Sequence, residues 1–314
     1  MSVPAKLLAF AALLAATFGV AVAAGDAFGP EERATPVGHG TMRADGGGAA
    51  MSSADHGEAD GGEPAGGHEG AAGGGHDAAA TAPGGLAATE DGYQLQPTAT
   101  TVEAGKRTRF SFRILDPRGR VVRSGYEPEA ERELHLIVVR RDTGRFLHLH
   151  PRRAADGTWS VDLRLPTAGV YRVFADFVVG GKRRTLGVDL FAPGSFRPEP
   201  WPAPAAVAHG DGFTTTLRAG DLRAGRAADL TFAVGRDGRA VTDLQPYLGA
   251  RGHLVALREG DLAYLHVHPQ GGDAGPDQIR FAATFPTPGR YRLFLQFQTD
   301  GRVRTVARTV EVSR

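Results

Sequence analysis

Two triplets of histidine carry the chemistry this chain offers. His135, His148 and His150 recur as His253, His266 and His268 with the same intervals between them, among 11 histidines in 314 residues. The flanks repeat too. Leu134-His135-Leu136-Ile137-Val138 answers to Gly252-His253-Leu254-Val255-Ala256, and Leu147-His148-Leu149-His150-Pro151 to Leu265-His266-Val267-His268-Pro269. Neutral imidazole is the commonest protein ligand for metals and suits zinc and copper, so a metal ion is the first partner the pattern implies. Three imidazoles with an open position suit Cu(II) or Zn(II).

Bringing such rings to one ion is a matter of strand geometry. Residues i and i+2 of a strand share a face, so His148 and His150 project side by side. His135 opens the preceding apolar strand, Leu136-Ile137-Val138-Val139, and Arg141-Asp142-Thr143-Gly144 makes the hairpin turn between them. With the turn centred near Thr143, His135 falls opposite Pro151, close to His150 and farther from His148. That leaves His135 as a third ligand or as a group that orients the pair. The second triplet is arranged the same way around Arg258-Glu259-Gly260-Asp261. Histidines flanked by apolar residues also serve as satisfied core or edge residues that donate to a carbonyl. Duplication preserves the pattern under either role. Glu127, Glu129, Glu131 and Glu133 lead into His135, but their counterparts are Gln245, Tyr247, Gly249 and Arg251. The acidic stripe therefore reads as a solvated strand edge of one copy.

The supporting elements read as strands. Phe110, Phe112 and Ile114 alternate with polar residues, as do Trp159, Val161, Leu163 and Leu165, the period-2 pattern of half-buried strands. Turn signals separate the runs at Asp116-Pro117-Arg118-Gly119, Asp156-Gly157 and Thr167-Ala168-Gly169. No long amphipathic helical pattern intervenes, so the fold class is all-β, an antiparallel sandwich. The plan is then repeated: Pro166-Thr167-Ala168-Gly169-Val170-Tyr171 maps onto Pro286-Thr287-Pro288-Gly289-Arg290-Tyr291, at an offset of 118 to 120 residues kept along the copies. Tyr171 and Tyr291 follow their turns as the tyrosine corner of immunoglobulin-like folds does, and a structural role is expected of both.

Composition narrows the class of protein. The net charge is +1 with signs interspersed, which gives nucleic acid no electrostatic footprint. Cysteine is absent, which excludes disulfides, thiolate zinc sites and thiol catalysis. There is no His-Glu-x-x-His, no Gly-x-Ser-x-Gly and no phosphate-binding loop, and no Asp-His follows either His-x-His, so an enzyme is not expected. Lys6 precedes an uncharged apolar run from Leu7 to Gly25 that ends near Ala21-Val22-Ala23. This reads as an export signal, cleaved or kept as an N-terminal membrane anchor. The following Gly/Ala-rich stretch lacks the apolar residues to offset its ordering entropy and is expected to be a disordered tether, with His39, His56, His68 and His76 along it.

The segment from Pro246 to Val255, with Tyr264-Leu265-His266-Val267-His268-Pro269, resembles exported bacterial proteins with YtkA-like, immunoglobulin-type domains, often described as heavy-metal-associated. The whole chain looks like actinobacterial examples with one membrane segment, a Gly/His-rich tether and two modules. The resemblance covers roughly residues 90 to 314 and implies an extracytoplasmic sandwich that handles copper or another soft-to-borderline metal. The first module departs from the pattern, with Leu134 in place of glycine before the histidine.

The expectation is therefore two tandem immunoglobulin-like antiparallel β-sandwiches. A signal peptide or anchor spans 1–25 and a tether 26–88; repeat 1 spans 89–194, a Pro-rich semi-rigid linker 195–208 and repeat 2 209–314. The function expected is that of a secreted or membrane-anchored envelope protein binding copper or zinc through His253, His266, His268, His135, His148 and His150. The alternative is a tethered, non-metallated module that mediates contacts with another envelope protein.

Overall fold

Alternating apolar residues and short turns fold the described residues into antiparallel sheets. The computed structural model describes residues 83–265, 267–271 and 274–314, all within one unit, Gly75–Arg314. The export segment, most of the tether with its four histidines, and His266 lie outside the described residues.

Repeat 1 holds β1 (Thr89–Glu90), β2 (Tyr93–Pro97), β3 (Arg107–Leu115), β4 (Tyr126–Glu127), β5 (Leu134–Arg140), β6 (Phe146–Leu149), β7 (Arg152–Arg153), β8 (Trp159–Arg164), β9 (Gly169–Val179) and β10 (Lys182–Ala192). Repeat 2 holds β11 (Val207–Gly210), β12 (Phe213–Arg218), β13 (Ala227–Arg236), β14 (Arg239–Ala240), β15 (Gly252–Arg258), β16 (Tyr264–Leu265), β17 (His268–Gln270), β18 (Gln278–Thr284), β19 (Gly289–Thr299) and β20 (Arg302–Val312). In each copy one sheet, β1-β2-β3-β8-β7 or β11-β12-β13-β18-β17, packs on a second, β10-β9-β5-β6 or β16-β15-β19-β20. The result is a pair of tandem immunoglobulin-like sandwiches.

Each sandwich has its own core. Phe110, Phe112, Trp159, Leu163, Tyr171 and Phe177 fill the first, and Phe232, Phe281, Phe285, Tyr291, Leu293 and Phe297 the second. The tyrosine corners form as the turns imply: the Tyr171 hydroxyl donates to the Thr167 carbonyl at 2.8 Å and Tyr291 to Thr287 at 3.0 Å.

A third apolar cluster joins the copies. Strand β5 is buried along its whole length, so both of its faces are covered. Leu134, Leu136 and Val138 face the core of repeat 1, whereas Ile137 and Val139 turn outward with Phe174. They meet Val255, Leu257, Leu262, Tyr264 and Phe294 of repeat 2, with Phe146 stacked on Phe294 at 4.1 Å between ring centroids. The two histidine-bearing sheets therefore pack back to back. Each large apolar side chain buried there contributes roughly 1.5–3 kcal/mol.

The connecting segments are stitched to this frame. The linker expected to act as a spacer is tied to both copies: Glu199 takes Arg140 at 2.7 Å and its amide donates to Asp142, while the Ala205 amide donates to the Thr309 carbonyl on β20. Residues just after Ala82, read from composition as tether, pair with the modules. Tyr264 donates its amide to Gly84 O at 2.9 Å, and Gly85 donates to Thr185 O at 2.7 Å. Gly85 has φ +76 and a Cβ there would stand 2.4 Å from Phe174, so only glycine fits. Replacing Gly85 by valine is expected to lower the stability of the folded unit by about 1–3 kcal/mol, read as a reduced midpoint in denaturant unfolding followed by tryptophan fluorescence.

Candidate metal centre

The outer face of the β5–β6 hairpin collects the imidazoles. Its turn runs from Arg140 to Arg145, closed by the Arg140 amide on the Arg145 carbonyl, with Thr143 held at φ 63. The ladder pairs Leu136 with Leu149 and Ile137 with His148. This register is one residue off the sequence expectation, which set His135 opposite Pro151. The turn centres between Asp142 and Thr143, so His135 comes opposite His150. Because facing residues of a ladder share a face, His135, Ile137, His148 and His150 all point toward repeat 2. Pro151 has no amide to extend the ladder, and the chain passes there to β7 of the other sheet.

The three rings of repeat 1 gather closely. One nitrogen from each of His135, His148 and His150 lies within 4.8 Å of the others. His135 Nδ1 and His148 Nε2 are 3.0 Å apart. Their outer nitrogens are held from behind. His135 Nε2 donates to the Glu129 carbonyl at 2.9 Å, and His148 Nδ1 to Gln296 Oε1 at 2.6 Å. A carbonyl only accepts, so the Glu129 contact puts the His135 proton on Nε2. Gln296 Nε2 donates to Thr305 Oγ1 at 3.3 Å, which leaves its Oε1 to accept from His148. Both inward nitrogens then carry lone pairs that point at one another. His150 Nε2 is buried without a hydrogen-bond partner.

Protons are poor occupants of this space. Burial, and then the neighbouring His253, His135 and His150, push His148 well below the ordinary imidazole value of 6.5. Burial likewise lowers His150 to about 4, with smaller contributions from His135 and Arg132. His148 and His150 are therefore neutral near pH 7, the form in which imidazole binds metal. A cleft of about 540 Å³ reaches His148 and His150 between the copies, with Glu131, Arg132, Tyr247 and Gln298 among its walls.

The second triplet is not gathered in the same way. His253 leaves its own copy and packs against the first cluster, its ring centroid 4.7 Å from His148 and 5.6 Å from His135. His268 begins β17, which pairs with β18 in the opposite sheet, and it is exposed. His266 is outside the described residues. Among the described residues the imidazoles gather in one composite cluster at the joint. The acidic stripe behaves as a strand edge: Glu133 pairs with Arg153, Glu129 with Arg183, and the Glu127 carboxylate accepts the Gly181 amide.

Sequence reasoning missed Gln296 and the Glu129 carbonyl. Gln296 had a signal, as a polar residue between Leu295 and Phe297 at the place where the first copy has Asp176. Each is the ladder partner of its copy's first histidine, Asp176 of His135 and Gln296 of His253. Both are buried, and each bonds the matching threonine, Thr185 or Thr305. The glycine of Gly252-His253-Leu254 is explained by packing, since a Cβ there would lie 2.7 Å from the Gln296 carbonyl oxygen.

Fold and cluster together define a tandem immunoglobulin-like β-sandwich protein with a polyhistidine joint. The chain belongs to the family described as Domain of unknown function (DUF8832), which matches it twice, over residues 87–193 and 206–314. The tandem immunoglobulin-like architecture expected from the sequence holds, and the family that matches is this one in place of the YtkA-like proteins that the sequence resembles. No curated protein matches the chain. Among solved structures, the Escherichia coli adhesin FdeC aligns over 72% of this chain and 65% of its own, at 12% identity and a TM-score of 0.24. Invasin, a bacterial integrin-binding protein, aligns over 71% and 40%, at 14% identity and a TM-score of 0.21. Domains 4 and 5 of the S-layer protein SbsC align over 71% and 98%, at 11% identity and a TM-score of 0.20. The chain spans 65% of the length of the FdeC structure and 40% of the invasin structure.

The ionisation of the cluster predicts a pH dependence for the metal-free protein. Folded His150 takes up its proton only near pH 4, whereas an unfolded histidine does so near 6.5. Between these values the unfolded state binds more protons, so folding stability is fully present above about pH 6.5 and is lost as the pH falls toward about 4. Urea unfolding in the presence of a chelator should show this loss, and His148→Asn/His150→Asn should flatten it.

Proposed function

We propose that this protein is an extracytoplasmic metal-binding protein of the cell envelope that holds a Cu(II) or Zn(II) ion on His135, His148 and His150. The observation that carries this reading is the meeting of His135 Nδ1 and His148 Nε2 at 3.0 Å while both outer nitrogens donate elsewhere. Two neutral lone pairs in that position repel unless a cation lies between or beside them, and burial opposes a proton there. An outer N–H fixed by a carbonyl or amide oxygen is the usual support for a metal-binding imidazole. Neutral nitrogen donors suit copper and zinc over magnesium or calcium, which take oxygen. The location rests on the export pattern from Lys6 to Gly25, and the four tether histidines offer further imidazoles for the same ions.

A second reading is favoured by a different observation. The bond from His148 to Gln296 links the two copies, so the histidines also serve as an interdomain latch. A tandem module of this kind, held rigid without metal and tethered to the membrane, would present its surfaces to another envelope protein.

Isothermal titration of the chain lacking residues 1–25 with Cu(II) and Zn(II) separates the two. The metal reading expects binding tighter than about 10 μM (~7 kcal/mol) that is lost in His148→Ala/His150→Ala and kept when residues 26–82 are deleted. Weaker binding, or binding that disappears with the tether alone, leaves the latch. Gln296→Leu is expected to weaken the ion about 10–100-fold without unfolding the protein, because it frees the His148 ring to turn. An ion present at 100 times its Kd should stabilise the fold by about 2.7 kcal/mol.

A further inference from the structure

We infer that His253 of the second sandwich is the fourth ligand of the ion, making the site a closed four-imidazole centre that clamps the two copies together. This rests on the metal-binding reading above and adds to it the ligand set and the structural role of the ion. Around a tetrahedral ion with metal–nitrogen bonds of about 2.0–2.1 Å, imidazole centroids lie roughly 3.2 Å from the metal and hence ~5 Å from one another. The observed centroid separations cluster at that value. They are 5.2 Å for His135–His148, 5.2 Å for His135–His150 and 4.8 Å for His148–His150. His253 stands beside them, its centroid 4.7 Å from His148 and 5.6 Å from His135, with its plane within 12° of the His135 ring. The nitrogens that converge within 4.8 Å are those of His135, His148 and His150, so His253 completes the set by turning its ring toward them.

The backbone explains why His253 reaches a cluster built by the other copy. It sits at the start of β15 on the outward face, in line with Val255 and Leu257, which pack into the apolar joint. Its ladder partner is Gln296, the residue that holds His148 from behind. Repeat 2 thus supplies both a ring facing the ion and the amide that orients one of the other three. Four nitrogen ligands leave no position for a substrate, which is the arrangement of structural centres and not of catalytic ones.

Co(II) substitution of the wild-type chain tests this, with azide as the probe for an open coordination position. A closed centre gives the visible spectrum of tetrahedral four-nitrogen Co(II), and azide leaves it unchanged. In His253→Ala the ion should bind at least about 10-fold more weakly, and azide should now shift the spectrum. His253→Asn is run in parallel, and far-ultraviolet circular dichroism verifies that both variants keep the fold. If wild-type Co(II) takes up azide, or if both variants bind the ion with unchanged affinity and spectrum, His253 is not a ligand although the three-histidine site stands. Failure of wild type to bind Co(II) or Zn(II) at all would remove both readings.

Discussion

The structure depends on the back-to-back packing of the two histidine-bearing sheets. An antiparallel sheet ordinarily keeps one face for the core and gives the other to water. Here the outward faces of β5 and β15 are apolar, with Ile137, Val139, Val255 and Leu257 at alternate positions. Once these residues exclude water against Phe174 and Phe294, every polar side chain on the same rows is drawn into the joint. His135 and His253 occupy the ends of those rows, so their burial follows from the aliphatic residues beside them.

Burial of polar rings has to be compensated, and the joint does so asymmetrically. The Glu129 carbonyl and Gln296 satisfy the outer nitrogens of His135 and His148, while His135 Nδ1 and His148 Nε2 face each other at 3.0 Å beside His150. Hydrogen bonds from behind select the tautomer, and desolvation removes the proton. Both effects push in the same direction, toward a set of neutral, fixed lone pairs. A purely mechanical latch would need only the outer bonds, so the inward geometry is what the metal-binding proposal rests on.

Duplication supplied the parts and divergence made them unequal. Asp176 and Gln296 occupy matching positions beside matching threonines, and the Gln296 amide oxygen accepts from His148 of the other copy. At His150 the first copy leaves its ladder, whereas at His268 the second already begins pairing with β18. The crossing strand starts two residues earlier in the second copy, at His268 and not at the counterpart of Arg152, which sends His268 to the surface and keeps His150 in the cluster. The Arg140 corner, tied to Asp142 and Thr167, recurs as Arg258 with Asp261 and Thr287, so the frame was conserved between copies while the joint was not.

Much of the fold was legible because its signals are local. Period-2 alternation, Gly- and Asp-bearing turns and the internal repeat each involve neighbours along the chain, and they sufficed for two all-β sandwiches and both tyrosine corners. The histidine triplets also announced themselves by type and spacing. Which rings would meet was decided only in three dimensions, for two physical reasons. Hairpin register turns on a single residue of turn geometry, here the left-handed Thr143, and a one-residue slip reverses the face of every side chain. The sheet-on-sheet contact between copies is an association of surfaces distant in sequence, and no periodicity within one copy encodes its partner. The chain alone thus determined the elements and the donor atoms, while tertiary packing took His253 across the joint, left His268 outside and set Gln296 behind His148.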